Sequence, residues 1–99
     1  MHRVVFSPEA DSQLLSLYFH IAVSSSPEIA ANYTEAIVRQ CESLRTFPHR
    51  GTRRDEIRPG LRTMGFRRRV TIAFEVTGEI VTILGVFYGG QKFEAAFDE

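Results

Sequence analysis

The sequence has very little cysteine and no long apolar run. Cys41 is its one cysteine, so no disulfide can form within the chain, as is usual for proteins of a reducing cytosol. No segment approaches the roughly 20 apolar residues that are needed to span a bilayer. The apolar run that ends at Phe6 is too short for a secretory signal peptide. We therefore expect a cytoplasmic protein with no membrane partner.

The chain also lacks the motifs of several enzyme classes. It contains no phosphate-binding glycine loop, no nucleophile elbow and no dinucleotide fingerprint. His2, His20 and His49 lie far apart in the sequence and share no ligand spacing with Cys41. We therefore expect no metal site and no cofactor.

Net charge is zero, but the positive charge is concentrated in one segment. Eight of the twelve basic residues are arginines between Arg50 and Arg69, where Asp55 and Glu56 are the only acids. That window carries +6 and the rest of the chain −6. Because the two acids are adjacent and surrounded by arginine, we expect them to be local counter-ions. The arginines are Arg50, Arg53, Arg54, Arg58, Arg62, Arg67, Arg68 and Arg69.

Apolar spacing predicts one strand and two helices in the first half of the chain. Val4 to Phe6 form a short strand, and Ser7 and Pro8 supply the N-cap and the first residue of a helix. Ser26 and Pro27 repeat this start after a short serine-rich turn, so the helices should form an antiparallel hairpin. The apolar face of the first helix comprises Leu14, Tyr18, Ile21 and Ala22, widened by Leu15 and Phe19. That of the second helix comprises Ala30, Tyr33, Ile37, Cys41 and Leu44.

After an exposed loop over residues 49–60, the apolar period changes to that of strands. Residues 61–66 and 68–76 predict two strands, with the run from Arg67 to Arg69 at the start of the second. Thr77 and Gly78 predict a hairpin turn. Residues 80–88 are apolar at nearly every position, as in a central strand, and Gly85 within them predicts a bulge or a close backbone approach. A last short helix is expected between residues 91 and 97.

These elements predict a single α+β domain that spans residues 1–99, in the order β-α-α-β-β-β. The helix hairpin should pack on one face of a mainly antiparallel sheet. The opposite face should be partly open unless another segment covers it.

The segment from Phe47 to Arg62 resembles the ParE-type toxins of the RelE/ParE superfamily, long called plasmid stabilisation proteins. Members typically carry Phe-Pro near the end of the second helix, then a glycine, a charged pair and Ile-Arg-Pro-Gly-Leu-Arg, which stands here at residues 57–62. Residues 6–10 and 83–90 are also similar, so the resemblance covers nearly the whole chain. It implies a bacterial toxin that inhibits DNA gyrase and is neutralised by a ParD-type antitoxin in a hetero-oligomer.

The same superfamily contains ribosome-dependent mRNA endonucleases of RelE type, so the fold alone does not decide the activity. RNA cleavage without a metal needs a base, cations beside the phosphate and an acid for the leaving oxygen. Tyr88 and Lys92 are the only acid–base candidates, and Phe87 stands where an imidazole would help. We therefore expect a toxin that is not an enzyme. The nuclease that remains as the alternative would use Tyr88, Lys92, Arg67, Arg68 and Arg69, and a scaffold that has lost its toxicity is a third possibility.

The arginine-rich segment has three interpretations: a solvated loop, a nucleic-acid site or a site for an acidic protein. Phe66 is the only aromatic residue in it, which disfavours stacking on bases, and we expect no sequence-specific binding of nucleic acid. Planar guanidinium groups suit carboxylates, which favours an acidic protein partner. The predicted antitoxin-binding residues are Arg53, Arg54, Arg58, Arg62, Arg67, Arg68 and Arg69.

Lys92, Phe93 and Phe97, near the C-terminus, have two interpretations. The aromatic rings either fold back onto the body of the protein or form an exposed apolar patch for the target of the toxin. The sequence does not distinguish between these two interpretations, and the three residues are candidates for contact with the target.

Overall fold

A computed structural model describes residues 1–89 and 93–97. The first half contains β1 (Arg3–Phe6), α1 (Pro8–Ser24) and α2 (Pro27–Glu42), followed by a short 3-10 helix, Ser43–Arg45. The second half contains β2 (Thr52–Arg53), β3 (Arg62–Phe66), β4 (Val70–Thr77), β5 (Ile80–Tyr88) and α3 (Phe93–Ala96). No helix in the described part of the chain is long and apolar enough to cross a membrane.

The predicted α+β class is confirmed, and the order of elements gains the 3-10 helix Ser43–Arg45 and one strand. The segment 49–60, expected to be irregular throughout, contains the two-residue strand β2. Thr52 and Arg53 pair antiparallel with Thr63 and Arg62 of β3. Two residues show little apolar alternation, so the sequence pattern could not distinguish this strand from loop.

Both helices begin where the serine and proline pairs predict. The Ser7 hydroxyl accepts a hydrogen bond from the Ala10 backbone N–H at 3.1 Å, and the Ser26 hydroxyl accepts one from Ile29 at 3.1 Å. Each serine thereby satisfies one of the N–H groups that lack a partner in the first turn of a helix. The α1–α2 hairpin follows from the short connection between these two helices.

The five strands form one sheet in the order β1-β5-β4-β3-β2. β1 runs parallel to β5, and all other neighbouring strands are antiparallel. β1 pairs only with the first half of β5, and its last pair is Phe6 with Ile83. On the side of β1, therefore, no strand within the described residues lies beside the second half of β5.

The helix hairpin covers one face of the sheet with an apolar core. Leu17 of α1 and Ile37 of α2 belong to the same buried cluster as Ile72, Phe74 and Ile83 of the sheet. This cluster is the principal core of the domain and fixes α1 and α2 against β4 and β5.

Leu15 and Phe19 do not belong to this core, and their assignment to the buried face of α1 was wrong. They are 58% and 57% exposed. Each is two residues from Leu17, which is 5% exposed, and two residues correspond to about 200° around a helix. They therefore lie on the side of α1 that faces away from the sheet.

The opposite face of the sheet is covered rather than open. Leu61 and Phe87 are buried there, and Ile57, Phe93 and Phe97 pack over them. The rings of Phe93 and Phe97 lie 6.3 and 6.4 Å from the ring of Phe87. The loop before β3 and the short α3 together form this second, smaller core.

Gly85 lies at an irregularity of the β4–β5 pairing, as the sequence predicts. The shift of one residue changes which side chains of β5 face the helices. Leu84 and Phe87 belong to the smaller core, whereas Val86 belongs to the principal one. A strand with unbroken alternation would not place Leu84 and Phe87 on the same face.

We expect Gly85→Ala to lower the free energy of unfolding by about 1–3 kcal/mol, as overpacking does in other cores. The added Cβ would lie 2.5 Å from a ring carbon of Phe87. Gly65→Ala is the matched control, because its Cβ would find its nearest neighbour, the Val70 carbonyl oxygen, at 3.9 Å. Urea unfolding of both variants measures the difference, and equal destabilisation would contradict the close approach at Gly85.

Candidate functional site

The structure divides the arginine-rich segment into two groups, and the first is paired with acids of the same chain. Arg53 lies 2.7 Å from Asp55, and Arg54 lies 2.7 Å from Glu56. Asp55 also accepts a hydrogen bond from the Gly60 N–H at 2.9 Å, and this bond is the main reason that the pKa of Asp55 is lowered. The pKa of Glu56 is lowered chiefly by its hydrogen bond from Arg54. The two acids are the local counter-ions that the sequence predicts.

The same group is held against the smaller core of the sheet. Arg58 lies 3.6 Å from Glu75, and its guanidinium carbon is 5.7 Å from the centre of the Phe97 ring. The guanidinium carbon of Arg54 is 4.9 Å from the centre of the Phe93 ring. Much of the binding capacity of these arginines is therefore already used within the chain.

The second group is a tight turn between β3 and β4, which we call the arginine turn: Arg67, Arg68 and Arg69. The expectation that these residues begin a strand was wrong, because the chain reverses at Arg67 and Arg68 and β4 begins at Val70. All three side chains are exposed, and none forms an ion pair with an acid in residues 1–89 or 93–97. The arginine turn thus leaves three exposed positive charges without an ion-pair partner in the described residues, although the Arg67 guanidinium also lies over the Phe66 and Tyr33 rings.

The backbone of the arginine turn is strained for these residue types. The φ angles of Arg67 and Arg68 are 50° and 61°, and the Arg69 N–H donates to the Phe66 carbonyl at 3.2 Å. Two central residues with positive φ are the pattern of a type I′ hairpin turn, which favours Asn-Gly. Arginine in this conformation costs about 1–2 kcal/mol per residue, and such strain is concentrated at functional sites.

A row of aromatic rings leads from the arginine turn to α1. The guanidinium carbon of Arg67 lies 4.8 Å from the centre of the Phe66 ring and 5.6 Å from that of Tyr33. The Tyr33 ring is 6.3 Å from Tyr88, and Tyr88 is 6.1 Å from His20. The row brings together β3, α2, β5 and α1 at one edge of the molecule. It also places Tyr88 close to the arginine turn.

Tyr33, in the middle of this row, has a buried hydroxyl. The oxygen has no hydrogen-bond partner within the described residues. Burial is the main cause that raises the pKa of Tyr33, and the neighbouring Tyr88 adds to it, whereas Arg67 and Arg69 oppose it. Because the folded state disfavours the ionised phenol, stability should fall as pH rises above the ordinary tyrosine pKa of about 10.

We expect Tyr33→Phe to leave the free energy of unfolding unchanged or to raise it by about 1 kcal/mol, because it removes a buried polar group that lacks a partner. The loss of stability above pH 10 should also become smaller. Tyr18→Phe on α1 serves as the control, with little expected change. Urea unfolding between pH 7 and pH 11 would measure both effects, and a large destabilisation at pH 7 would show that the Tyr33 hydroxyl has a partner.

α1 presents two further features that sequence reasoning missed. Its outer side carries three exposed apolar residues, Leu15, Phe19 and Val23, which are 58%, 57% and 87% exposed. We call these the outer face of α1. On another side of the helix, a groove of about 320 Å³ separates α1 from the end of β5 and is lined by Ser16, His20 and Val86 among others.

The other predicted site residues lie as follows. Arg62 donates to the backbone carbonyls of His49 and Arg50, each at 3.3 Å, and so belongs to neither arginine group. Phe93 and Phe97 are half-buried on the smaller core. Lys92 lies outside the described residues. Contact of this tail with a target stays a prediction.

These features define a small α+β domain with an exposed apolar helix face and an arginine turn that forms no ion pair within the described residues. The sequence model described as "ParE toxin of type II toxin-antitoxin system, parDE" matches residues 4–93. The chain therefore belongs to the ParE family of toxins from type II toxin–antitoxin systems.

A solved structure supports this assignment. The chain is 28% identical to one titled "Chromosomal ParDE TA system from P. aeruginosa", with a TM-score of 0.79. The match covers 90% of this chain and 97% of that one. Comparison with the curated proteins gives no significant match.

Proposed function

We propose that this toxin arrests growth by binding DNA gyrase, without a catalytic step of its own, and that a ParD-type antitoxin neutralises it. Membership of the ParE family supports the proposal. The observation that carries it is the arginine turn, where three exposed positive charges are kept in a strained backbone without acids of the described chain beside them. Strain of this kind is consistent with selection for binding.

The antitoxin is proposed to cover two exposed surfaces of the domain, the outer face of α1 and the arginine turn. Its apolar residues would pack on the outer face of α1, and its acidic residues would neutralise the arginine turn. Exposed apolar clusters with a polar rim are typical of protein interfaces. Charges at the arginine turn would attract the acidic partner over a distance, so association should be faster at low salt.

The experiment for the gyrase proposal is a supercoiling assay with purified toxin. We expect micromolar toxin to block supercoiling or to produce DNA breaks that depend on gyrase. Prior mixing with the antitoxin encoded beside the toxin gene should prevent both effects. No effect on gyrase at micromolar toxin would reject the target, and neutralisation would then have to be tested by growth.

One observation favours the RelE-type nuclease as the second candidate. The sequence has no imidazole next to Tyr88, but the fold brings the His20 ring to 6.1 Å from it. In that mechanism, Tyr88 and His20 would serve as the acid–base pair, and the arginine turn would stabilise the phosphate. The cations would then have a catalytic role rather than a binding one.

Tyr88→Phe and His20→Ala test the two candidates against each other. The gyrase proposal predicts that both variants remain toxic, provided that they fold and bind the antitoxin. The nuclease hypothesis predicts a loss of roughly 100-fold or more in ribosome-dependent mRNA cleavage, the usual effect of removing a general acid or base. Growth curves after induction, together with mapping of mRNA ends, provide the measurement.

A further inference from the structure

The second half of β5 has an edge that only side chains cover within the described residues. β1 stops pairing at Ile83, because Ser7 and the following proline turn the chain into α1. Beyond that point the Ser7 hydroxyl donates to the Leu84 carbonyl at 3.1 Å. Edges of this kind are ready templates for pairing with another chain, and proteins normally cover them.

The next hydrogen bond along this edge resembles one between neighbouring strands, but its acceptor is a side chain. The Val86 backbone N–H donates to the Gln13 side-chain oxygen at 2.7 Å. The amide and the carbonyl of one residue point to the same side of a strand, so the Val86 carbonyl also points to this edge. A glutamine side chain ends in an amide, as a peptide group does. The Gln13 amide therefore occupies the place that a backbone peptide group of a sixth strand would take.

The groove beside this edge suits an extended segment. Its volume of about 320 Å³ lies at the low end of the roughly 300–1,000 Å³ of ligand pockets. Ser16, His20 and Leu17 supply hydroxyl, imidazole and apolar contacts for alternating side chains.

Two neighbouring features indicate the chemistry of the occupant. Phe19 and Val23 follow Ser16 and His20 by three positions, so they adjoin the groove on the surface of α1. At its other end the groove reaches Tyr88, from which the aromatic row leads to the arginine turn. An occupant that complements this surface would be apolar along α1 and acidic next to the arginine turn.

We propose that an extended segment of the antitoxin adds to the sheet as a sixth strand beside Leu84–Phe87, and that it replaces the Gln13 side chain at the Val86 N–H. Its acidic residues lie at the end of the groove nearest the arginine turn. This inference rests on the antitoxin partner proposed above and adds the mode of binding: main-chain pairing provides affinity, and the groove provides specificity.

Hydrogen exchange of the Val86 amide tests the pairing directly. The samples are free toxin and toxin co-purified with the product of the adjacent reading frame, each as the wild type and as Gln13→Ala. In free Gln13→Ala the amide should exchange at least about 10-fold faster than in the wild type, because its acceptor is gone. In the Gln13→Ala complex the exchange should be as slow as in the wild-type complex, because a strand of the partner now accepts the bond.

A variant that fills the groove provides the second test. Ser16→Trp should weaken binding of the same partner by at least about 30-fold, as loss of a central contact region does. Glu35→Trp, at an exposed position of α2, adds the same bulk elsewhere and should bind within about threefold of the wild type. Circular dichroism of both variants checks that each is folded.

Three outcomes would overturn the inference. The first is a stable complex in which the Val86 amide of Gln13→Ala exchanges as fast as in the free variant, as expected if the partner docks a helix instead. The second is slower exchange of the Val86 amide in free toxin as the toxin concentration rises, together with a dimer detected by sedimentation. That result would assign the edge to a second copy of the chain. The third is the absence of any complex with wild-type toxin, which alone would also reject the proposed antitoxin.

Discussion

Phe19→Asp is expected to weaken binding of the antitoxin by about 30- to 1,000-fold, the effect of losing 2–4 kcal/mol at an interface hot spot. The Phe19 side chain is 57% exposed and lies on the outer face of α1, where its ring contacts the edge of the neighbouring Tyr18 ring. The substitution removes apolar contact area and places a carboxylate where an apolar partner surface would pack. The measurement is the dissociation constant by calorimetry or surface plasmon resonance.

The stability of the free toxin separates an interface effect from a folding effect. Because Phe19 contributes little to the core, the free energy of unfolding of Phe19→Asp should stay within about 0.5 kcal/mol of the wild type. Asn32→Asp introduces the same charge at an exposed position of α2 and is the control for charge alone. Tight binding by Phe19→Asp would show that the partner does not use the outer face of α1.

The double variant Arg67→Asn with Arg68→Gly is expected to make the toxin more stable and its antitoxin slower to bind. Asn-Gly is the preferred pair for two positive φ angles, so relief of the strain should raise the free energy of unfolding by about 1–3 kcal/mol. Removal of two charges should lower the association rate by about tenfold at low salt, and the salt dependence of that rate should become weaker. Denaturant unfolding and stopped-flow binding measure the two effects.

The paired arginines provide the control for this prediction. Arg53→Gln with Arg54→Gln removes the same number of charges, but Asp55 and Glu56 already lie beside those two residues. This variant should slow association much less, and it should not gain stability. If both double variants slow binding equally, the arginine turn has no special role and the net charge of the segment controls the rate.

Much of the fold is predictable from the sequence because residue types that favour helix N-termini mark where both long helices begin. The serine and proline pairs before α1 and α2 define both N-termini, and the alternation in residues 70–76 defines β4. The two-residue β2 escaped prediction because so short a strand shows no period. The buried and exposed sides of α1 were only partly assigned, since Leu15, Phe19 and Leu17 are all apolar and only packing distinguishes them.

The candidate site is less accessible to sequence reasoning, because its important contacts join distant parts of the chain. The abundance of arginine predicted a binding segment, but the sequence did not show that Arg53 and Arg54 form ion pairs with acids whereas the arginine turn forms none within the described residues. No periodic pattern predicts that His20 meets Tyr88, or that Gln13 reaches the backbone of Val86. The turn at Arg67 and Arg68 was not predicted, because arginine is not a residue type that favours the positive φ angles found there.

The most direct test of a binding toxin without turnover is a titration of toxin against a fixed concentration of gyrase in the supercoiling assay. For a toxin that acts by binding alone, inhibition should grow with the ratio of toxin to gyrase and should reach half its maximum only when the toxin concentration is comparable to or higher than that of gyrase. Added antitoxin should reverse it. Two results together would contradict a binding toxin without turnover. Gyrase would stay fully active in a large excess of folded toxin, and the same toxin preparation would cleave ribosome-bound mRNA at a small fraction of the ribosome concentration.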